Sequence, residues 1–371
     1  MAKLLMITGL GSAKDLASGK KGAFYNTLEE LCKYFERIDI IAPKIYRGST
    51  SRGLEVEPLF GNVYVHISPW PLIFHPLWFL KRGIEIYKEQ KFNLMTVHEF
   101  PPFYNGIGAR LLWNKIRVPY VLEIHHIPGY PRAANFKEEI YKILTRLFIE
   151  FDSKKAKAIR VVNQNQVPKF LIESGVPKEK IVYIPSIYID TDIFKPLNLP
   201  KEYDLIFVGR LEKNKGLDLF LEAVKITGLK GIIVGTGPLM NDCKLKIENC
   251  KLKITMHGWA KDSKEVAELL NKSKILVMPS YNEGGPRVVP EALACGVPVL
   301  ATSVGIVPDI IKSGRGGEII TWDADDIAEK AQKILSNYEA YRNSGIEIAA
   351  QFEKKKAIEN YAQKLKEILR V

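Results

Sequence analysis

Cysteine and histidine are scarce in this chain, with four cysteines and six histidines among 371 residues. Cys32, Cys243, Cys250 and Cys295 form no Cys-x-x-Cys pair and have no histidine at zinc-ligand spacing. This pattern argues against a disulfide scaffold and against a structural zinc site. We therefore expect reduced, mostly buried thiols and a cytoplasmic protein.

Long apolar runs are also missing, because no segment approaches the ~20 residues that a membrane-spanning helix needs. The first residues, MAKLLMITGLGS, run from a short apolar stretch into glycines, without the layout of a signal peptide. No basic stripe with interleaved aromatic residues occurs, so nucleic acid is not an expected partner. The net charge of +12 favours anionic partners, among which it does not distinguish diphosphates from anionic membrane surfaces.

Short apolar segments alternate with amphipathic ones along the whole chain, which predicts an α/β protein with parallel, doubly wound sheets. The length suits two domains. A proline-rich stretch, Pro185 to Pro200, interrupts the alternation and predicts an interdomain hinge. Predicted strands before it are residues 3–8, 38–42, 63–67, 94–97, 120–124, 158–162 and 181–184; those after it are 204–208, 231–234, 253–256, 275–278, 298–301 and 317–320.

The stretch Pro279 to Ala301, PSYNEGGPRVVPEALACGVPVLA, contains two carboxylates, Glu283 and Glu291. Pro290 is tolerated only in a first helical turn, so a helix is expected to begin near Pro286 or Arg287 and to leave Glu283 on the preceding loop. On one helix the carboxylates would be ~12 Å apart, too far for a glycosidase pair. The start of a helix suits an anionic phosphate, and the carboxylates would grip hydroxyls on either side of it. The alternative is a solvated loop residue and a first-turn charge favoured by the helix dipole.

This stretch resembles the donor-site signature of retaining glycosyltransferases with the GT-B fold, the glycogen-synthase-like and lipid mannosyltransferase-like family. The resemblance implies two Rossmann-like domains facing a central cleft, here residues 1–190 and 200–349, with residues 350–371 crossing back onto the first. It also implies that Glu283 lies beside the donor sugar and Glu291 binds the ribose. Gly284, Gly285, Arg287 and Val288 are the accompanying donor-site candidates. This chain has Gly285, Pro286 and Arg287 where the family often has an aromatic residue and a second glycine, so the sugar preference does not carry over.

Two further basic residues follow the predicted strand 204–208 at Arg210 and Lys215. Together they would cradle a leaving diphosphate, and the family uses its matching Arg and Lys in that role. The alternative is an interdomain salt bridge for Arg210 and a solvated surface position for Lys215.

Other candidate site residues lie at strand ends and loops. Gly258 and Trp259 fall where the backbone of family members meets the nucleotide base. Trp259 would stack on that base, although a tryptophan at the end of a strand more often has a packing role. His125 matches the position of a family histidine near the transferring sugar. The adjacent His126 is the alternative match for that position. Gly22 belongs to a loop that in the family approaches the donor phosphate.

No metal site is predicted. Asp190-Thr191-Asp192 lies in the hinge, and Asp323 to Asp326 open a helix where capping favours acids, so both triplets are interpreted as structural. Positive side chains would then neutralise the leaving group.

The aromatic segment Trp70 to Arg82 ends in a basic pair. It would either be a buried helix beside the cleft or lie on an anionic membrane and present a lipid-linked acceptor, which would make the protein peripheral at the inner membrane surface.

The sequence thus predicts a retaining, metal-independent transferase without a cofactor, which moves a hexose from a UDP- or GDP-sugar to a hydroxyl of a saccharide or lipid-linked acceptor. The alternatives are another GT-B enzyme, such as a sugar-nucleotide epimerase, and a non-catalytic nucleotide-binding module.

Overall fold

The computed structural model describes residues 2–9, 11–12, 16, 22–44, 58–101 and 103–370. In these residues, fourteen strands form two parallel sheets of seven strands each. The first sheet has the order β3-β2-β1-β4-β5-β6-β7, and the second has the order β10-β9-β8-β11-β12-β14-β13. This is the two-sheet α/β architecture of the GT-B fold, which confirms the predicted fold class.

The five inner strands of the first sheet are almost entirely buried because helices cover both of its faces, as parallel sheets require. Their bounds are β1 Lys3–Ile7, β2 Arg37–Ala42, β3 Val63–Ile67, β4 Leu94–His98, β5 Tyr120–Ile124, β6 Ala158–Val161 and β7 Ile181–Tyr183. The helices of this half are α1 Ala23–Leu31, α2 His75–Gln90, α3 Tyr104–Ile116, α4 Phe136–Ser153 and α5 Gln166–Glu173.

The second sheet consists of β8 Tyr203–Val208, β9 Gly231–Val234, β10 Ile254–Gly258, β11 Ser273–Met278, β12 Val299–Thr302, β13 Lys312–Ser313 and β14 Gly316–Ile320. Its helices are α6 Leu217–Thr227, α7 Met240–Asn249, α8 Ser263–Asn271, α9 Val288–Ala294, α10 Val307–Ile310, α11 Ala324–Ser336 and α12 Tyr338–Ala349. The two-residue edge strand β13 was not predicted, because so short a segment has no periodicity.

The last helix, α13 Lys354–Arg370, lies on the first sheet although it follows the second in sequence. Ile358, Tyr361, Ala362 and Leu365 are buried against a core that contains Leu4, Ile38 and Leu94. Between the sheets, Ile189 donates its N–H to Phe352 O and accepts from Lys354 N. The connection after β7 and the segment before α13 therefore run side by side.

Helix α1 begins at Ala23, directly after Gly22. Thr27 Oγ1 donates back to Ala23 O at 2.9 Å, which places this residue one turn inside the helix. A threonine hydroxyl within a helix commonly bonds to the carbonyl four residues earlier. No described helix combines the length and apolar character needed to cross a bilayer.

Candidate functional site

Lys215 and Glu283 are brought into contact by two loops that follow β8 and β11. Lys215 Nζ lies 2.5 Å from Glu283 Oε1, which also accepts from Ser280 Oγ at 2.9 Å. Both charged side chains are less than a fifth exposed. Partial burial strengthens such a pair relative to one in water, because solvent screens it less.

Gly216 is the residue that allows this approach. Its φ is +67°, and a Cβ there would lie 2.1 Å from Pro279 O at the end of β11. Only glycine suits both the left-handed conformation and the close backbone contact. Lys215, on the preceding residue, is thereby held beside the β11 loop that carries Glu283.

Gly284 brings the same loop against the first half of the chain. A Cβ at this position would lie 1.8 Å from His125 O, just after β5. Asn163 Nδ2 donates to Gly284 O at 3.4 Å from the β6 side. The Glu283 loop is thus wedged between the carboxyl ends of both sheets, where open α/β sheets bind ligands.

A central cavity of about 250 Å³ lies between the two sheets. Its walls come from the carboxyl ends of β1, β4 and β5, from residues 185–188, and from Gly285 and Arg287. Arg287 also stacks over the Tyr188 ring, with its guanidinium carbon 4.4 Å from the ring centroid. Gly285 and Arg287 line a second pocket as well, together with Lys215, Glu283 and Val288, so the two spaces adjoin.

His125 lines the central cavity, whereas His126 turns away from it. The rings of His125 and His98 lie 4.6 Å apart, and His125 Nε2 has no hydrogen-bond partner among the described residues. Burial lowers the pKa of His98, and burial next to His98 lowers the pKa of His125 well below its usual range. Both rings are therefore neutral at pH 7, and each offers one donor and one acceptor.

His126 Nε2 lies 3.0 Å from Asn282 Oδ1, across the cleft. The Asn282 amide nitrogen donates to Arg132 O and to Glu138 Oε2, so its oxygen is the acceptor and His126 is the donor. Of the two histidines, His125 is the one that lines the central cavity.

Glu291 lies one turn inside α9, which begins at Val288, with Arg287 as its N-cap residue and Glu283 on the preceding loop. The predicted helix start is confirmed to within two residues. The Glu291 carboxylate makes no side-chain hydrogen bond or ion pair within the described ranges. Burial raises its pKa to about 7, and the nearby Arg287 opposes this increase.

Arg210 is not brought to Lys215 and Glu283. Its guanidinium is exposed, pairs with Glu212 at 2.8 Å, and lines a separate pocket with Lys213 and Pro238. An exposed arginine with a glutamate two residues away satisfies its charge locally. A diphosphate cradle made by Arg210 and Lys215 together therefore requires movement of Arg210.

Three further candidates, Gly258, Trp259 and Gly22, do not line the central cavity or the pocket that adjoins it. Gly258 ends β10 with φ +84°, and Trp259 is 65% exposed. Gly22 precedes α1 as its N-cap residue, and the next residues, Ala23 and Phe24, line the central cavity.

The acidic triplets have local roles. Asp323 caps α11 by accepting from Asp325 N, and Asp326 accepts from Thr321 and pairs with Lys330. Asp190 accepts from Asp192 N at 3.1 Å. The described part of the chain contains no group of three or more His, Cys, Asp or Glu residues arranged to hold a metal ion.

Sequence reasoning did not select Ser280, Tyr188 or the buried set Glu123, Arg160 and Tyr361. Arg160 Nη1 donates to Glu123 Oε1 at 2.7 Å, and Tyr361 Oη donates to the same oxygen at 2.7 Å. Ser280 could have been found, because it follows the end of an apolar strand by two residues and precedes Glu283 by three. The Glu123 set joins residues 238 positions apart, which no local pattern reveals.

Comparison with known proteins finds similarity to glycosyltransferases. Residues 189–364 match the family described as Glycosyl transferases group 1. An uncharacterized glycosyltransferase of Methanocaldococcus jannaschii is 28% identical over 316 residues, which cover 81% of this chain and 82% of that protein. An undecaprenol-diphosphate-linked-saccharide α-1,4-N-acetylgalactosaminyltransferase of Campylobacter jejuni is 25% identical over 352 residues, covering 90% of each. The chain is a glycosyltransferase.

Solved structures agree on the architecture of this glycosyltransferase. A sucrose-phosphate synthase of Thermosynechococcus elongatus superimposes with a TM-score of 0.80 at 17% identity and covers both chains completely. An Anabaena protein in complex with UDP and glucose superimposes with a TM-score of 0.76 at 17% identity, over 99% of this chain and 100% of that one. These likenesses establish the GT-B fold.

Proposed function

We propose that this glycosyltransferase moves a hexose from a UDP- or GDP-sugar to an acceptor hydroxyl with retention of configuration and without a metal ion. The observation that carries the proposal is the contact between Lys215 and Glu283, which line the pocket that adjoins the central cavity. The Anabaena structure, which contains UDP and glucose, supports a nucleotide-sugar donor.

In the proposed reaction, the bond between the anomeric carbon and the diphosphate oxygen breaks while a bond to the acceptor oxygen forms on the same face. The acceptor proton passes to the leaving phosphate. Lys215 would stabilise the negative charge that develops on that phosphate, a role for which a partly desolvated cation is well suited. Glu283 would orient the sugar and Glu291 the ribose, as the family resemblance implies.

The neutral pair His98 and His125 would face the sugar or the acceptor from the first sheet. A neutral imidazole can hydrogen-bond a hydroxyl without adding a positive charge that would compete with Lys215 for the diphosphate. Arg210 would complete the diphosphate site only by leaving Glu212.

For the acceptor, we propose a saccharide carried on a lipid diphosphate. Two relatives support this class: the Campylobacter jejuni enzyme, and an Escherichia coli galactosyltransferase that acts on a diphosphoundecaprenol-linked N-acetylglucosamine and is 27% identical over 266 residues. The cytoplasmic location stays a prediction.

The test is turnover of Lys215→Ala with a donor found by screening UDP- and GDP-sugars for hydrolysis and transfer. We expect kcat to fall about a hundredfold or more, as the loss of a preorganised transition-state partner does. The matched control is Lys213→Ala, an exposed lysine in the same turn, which should stay near wild type. Wild-type transfer should also persist in EDTA. Near-normal kcat in Lys215→Ala would overturn the site, and loss of activity in EDTA with recovery in magnesium would overturn metal independence.

A further inference from the structure

Helix α4 carries an apolar stripe that points away from the protein. Phe136, Ile140, Ile143, Leu147 and Phe151 are 80%, 40%, 53%, 68% and 49% exposed. Their spacing of four, three, four and four residues places them on one side of a helix. The opposite side is the buried one, with Thr145, Ile149 and Asp152. The hydrophobic side of this helix is therefore its solvent side.

A second exposed apolar stripe precedes and enters α2. Trp70, Ile73, Phe74 and Leu77 are 38%, 65%, 51% and 54% exposed. The same segment contributes Phe79, which is completely buried, and Trp78, which packs against the core. The aromatic segment Trp70 to Arg82 is thus neither wholly a core helix nor wholly a surface one.

Both stripes lie on one side of the first sheet. The connections β3-α2-β4, β4-α3-β5 and β5-α4-β6 all progress in the same direction along the sheet, and right-handed crossovers then put α2, α3 and α4 on the same face. Contacts agree: Phe79 packs at Gly108 of α3, and Phe148 of α4 stacks on Phe103 with centroids 5.3 Å apart.

The charge around these stripes is predominantly positive. Apart from the buried Asp152, the charged residues of α2, α3 and α4 are eight bases and five acids: Lys81, Arg82, Lys88, Arg110, Lys115, Lys137, Lys142 and Arg146 against Glu85, Glu89, Glu138, Glu139 and Glu150. Four more exposed bases follow α3 and α4 directly: Arg117, Lys154, Lys155 and Lys157. Such an excess of lysine is unusual for the core of a protein interface, from which lysine is depleted.

We propose that this face, which we call the α2–α4 face, docks on an anionic lipid bilayer. The outward side chains of the two stripes would enter the boundary between head groups and acyl chains, and the surrounding Lys and Arg would meet lipid phosphates. The amino termini of α2, α3 and α4 follow the carboxyl ends of strands, so the face reaches the edge of the sheet that lines the central cavity. Docking of this face would place a lipid-linked acceptor at that edge. This inference therefore rests on the acceptor class given under the proposed function.

The decisive experiment is flotation of the full chain with vesicles of phosphatidylcholine alone and with one third phosphatidylglycerol, at low and at high salt. We expect binding to the anionic vesicles that weakens with salt, because surface charges are screened. Leu147→Glu should weaken partition at least about tenfold, since it removes the burial of a large side chain and adds repulsion from anionic lipid. Its matched control is Leu245→Glu, at a leucine 57% exposed on α7 of the second half, which should bind like wild type.

Two results would overturn the docking surface. One is wild-type protein that does not float with anionic vesicles at low salt; the other is equal binding by Leu147→Glu and Leu245→Glu. A concentration-dependent dimer that Leu147→Glu abolishes, without vesicle binding, would assign the face to a second copy of the chain instead. Hydrolysis of the donor, measured without vesicles, reports on the Lys215 site alone, so failure of docking and failure of the proposed transferase activity are distinguishable.

Discussion

Glu291 is the residue whose ionisation should control donor binding. Its carboxylate is half-buried beside Arg287, and burial raises its pKa to about 7. In the proposed donor site, only the ionised form has both oxygens free to accept hydrogen bonds from the two ribose hydroxyls. Glu291 should therefore bind the ribose poorly below pH 6, where it is mostly protonated, and well above pH 8, where it is mostly ionised.

The nucleoside diphosphate should bind more tightly as pH rises. The ionised fraction of a group with this pKa increases about tenfold between pH 6 and pH 8, and the affinity for UDP or GDP should increase by a similar factor. Calorimetric titration of the protein with UDP or GDP at pH 6 and at pH 8 measures this change in affinity. Glu291→Gln, which cannot ionise, should bind weakly and without this dependence. If the glutamine variant kept the pH dependence, another group would be responsible and the ribose role would be wrong.

For individual residues, the sequence was informative where the members of a site lie close together in the chain. Glu283, Gly284 and Glu291 belong to one motif, and the helix start between the carboxylates followed from Pro290. Arg210 shows the limit: whether its side chain reaches Glu283 depends on the folded structure, in which the neighbouring Glu212 pairs with it instead.

Among the elements, α13 is fixed to the first sheet by a buried polar contact as well as by apolar packing. Tyr361 Oη donates to Glu123 Oε1, which also binds Arg160, and the Arg160 guanidinium carbon lies 3.9 Å from the Tyr361 ring centroid. All three residues are at most 5% exposed. A buried ion pair needs such additional partners, since desolvation otherwise offsets its attraction.

Tyr361→Phe should retain the ring over Arg160 and lose the hydrogen bond to Glu123. We expect about 1.5–3 kcal/mol of lost stability, the usual range for a hydrogen bond to a charged group, measured as the free energy of unfolding in urea. Tyr34→Phe is the control, because Tyr34 contributes its ring to the same core and its hydroxyl has no hydrogen-bond partner among the described residues. Equal stability of the two variants would contradict the role of the Tyr361 hydroxyl.

The types of the elements and their succession along the chain were largely accessible from the alternation of apolar and amphipathic segments, because parallel strands and their crossover helices have distinct periods. Ends of elements were less accessible: His98, His257 and Gly258 extend β4 and β10 beyond their predicted ends. The two faces of the Trp70 to Arg82 segment could not be assigned from its composition, since both its buried and its exposed sides are apolar.

Across the whole molecule, the two halves are joined on either side of the Glu283 loop. On one side, Arg132 lies over the rings of Tyr281 and Trp322, 5.3 and 5.1 Å from their centroids, and Asn282 bonds His126. On the other side, Asp309 accepts from Gln164 and Asn165. Contacts of this kind, made by charged, amide and imidazole side chains, can be broken and remade more readily than a large hydrophobic interface.

Asn282→Ala should shift the ligand-free protein towards a more open arrangement of the halves. The change leaves His126 and Glu138 without their partner across the cleft, which costs about 1–3 kcal/mol of the closed arrangement. Small-angle X-ray scattering should show a larger radius of gyration than for wild type, and a saturating nucleoside diphosphate should reduce the difference. Asn337→Ala, at an asparagine within the second half, serves as the control. Identical scattering from Asn282→Ala and wild type would show that this contact does not hold the halves together.

The return of α13 to the first sheet also has a consequence for how the polypeptide is made. Until residues 354–370 have left the ribosome, one face of the first sheet, with Leu4, Ile38 and Leu94, lacks part of its cover. The second sheet and its helices, by contrast, need only residues that are synthesised before α13. The half that is translated first is therefore the half that matures last, and during synthesis its uncovered strands are the part of the nascent chain that is most dependent on chaperones.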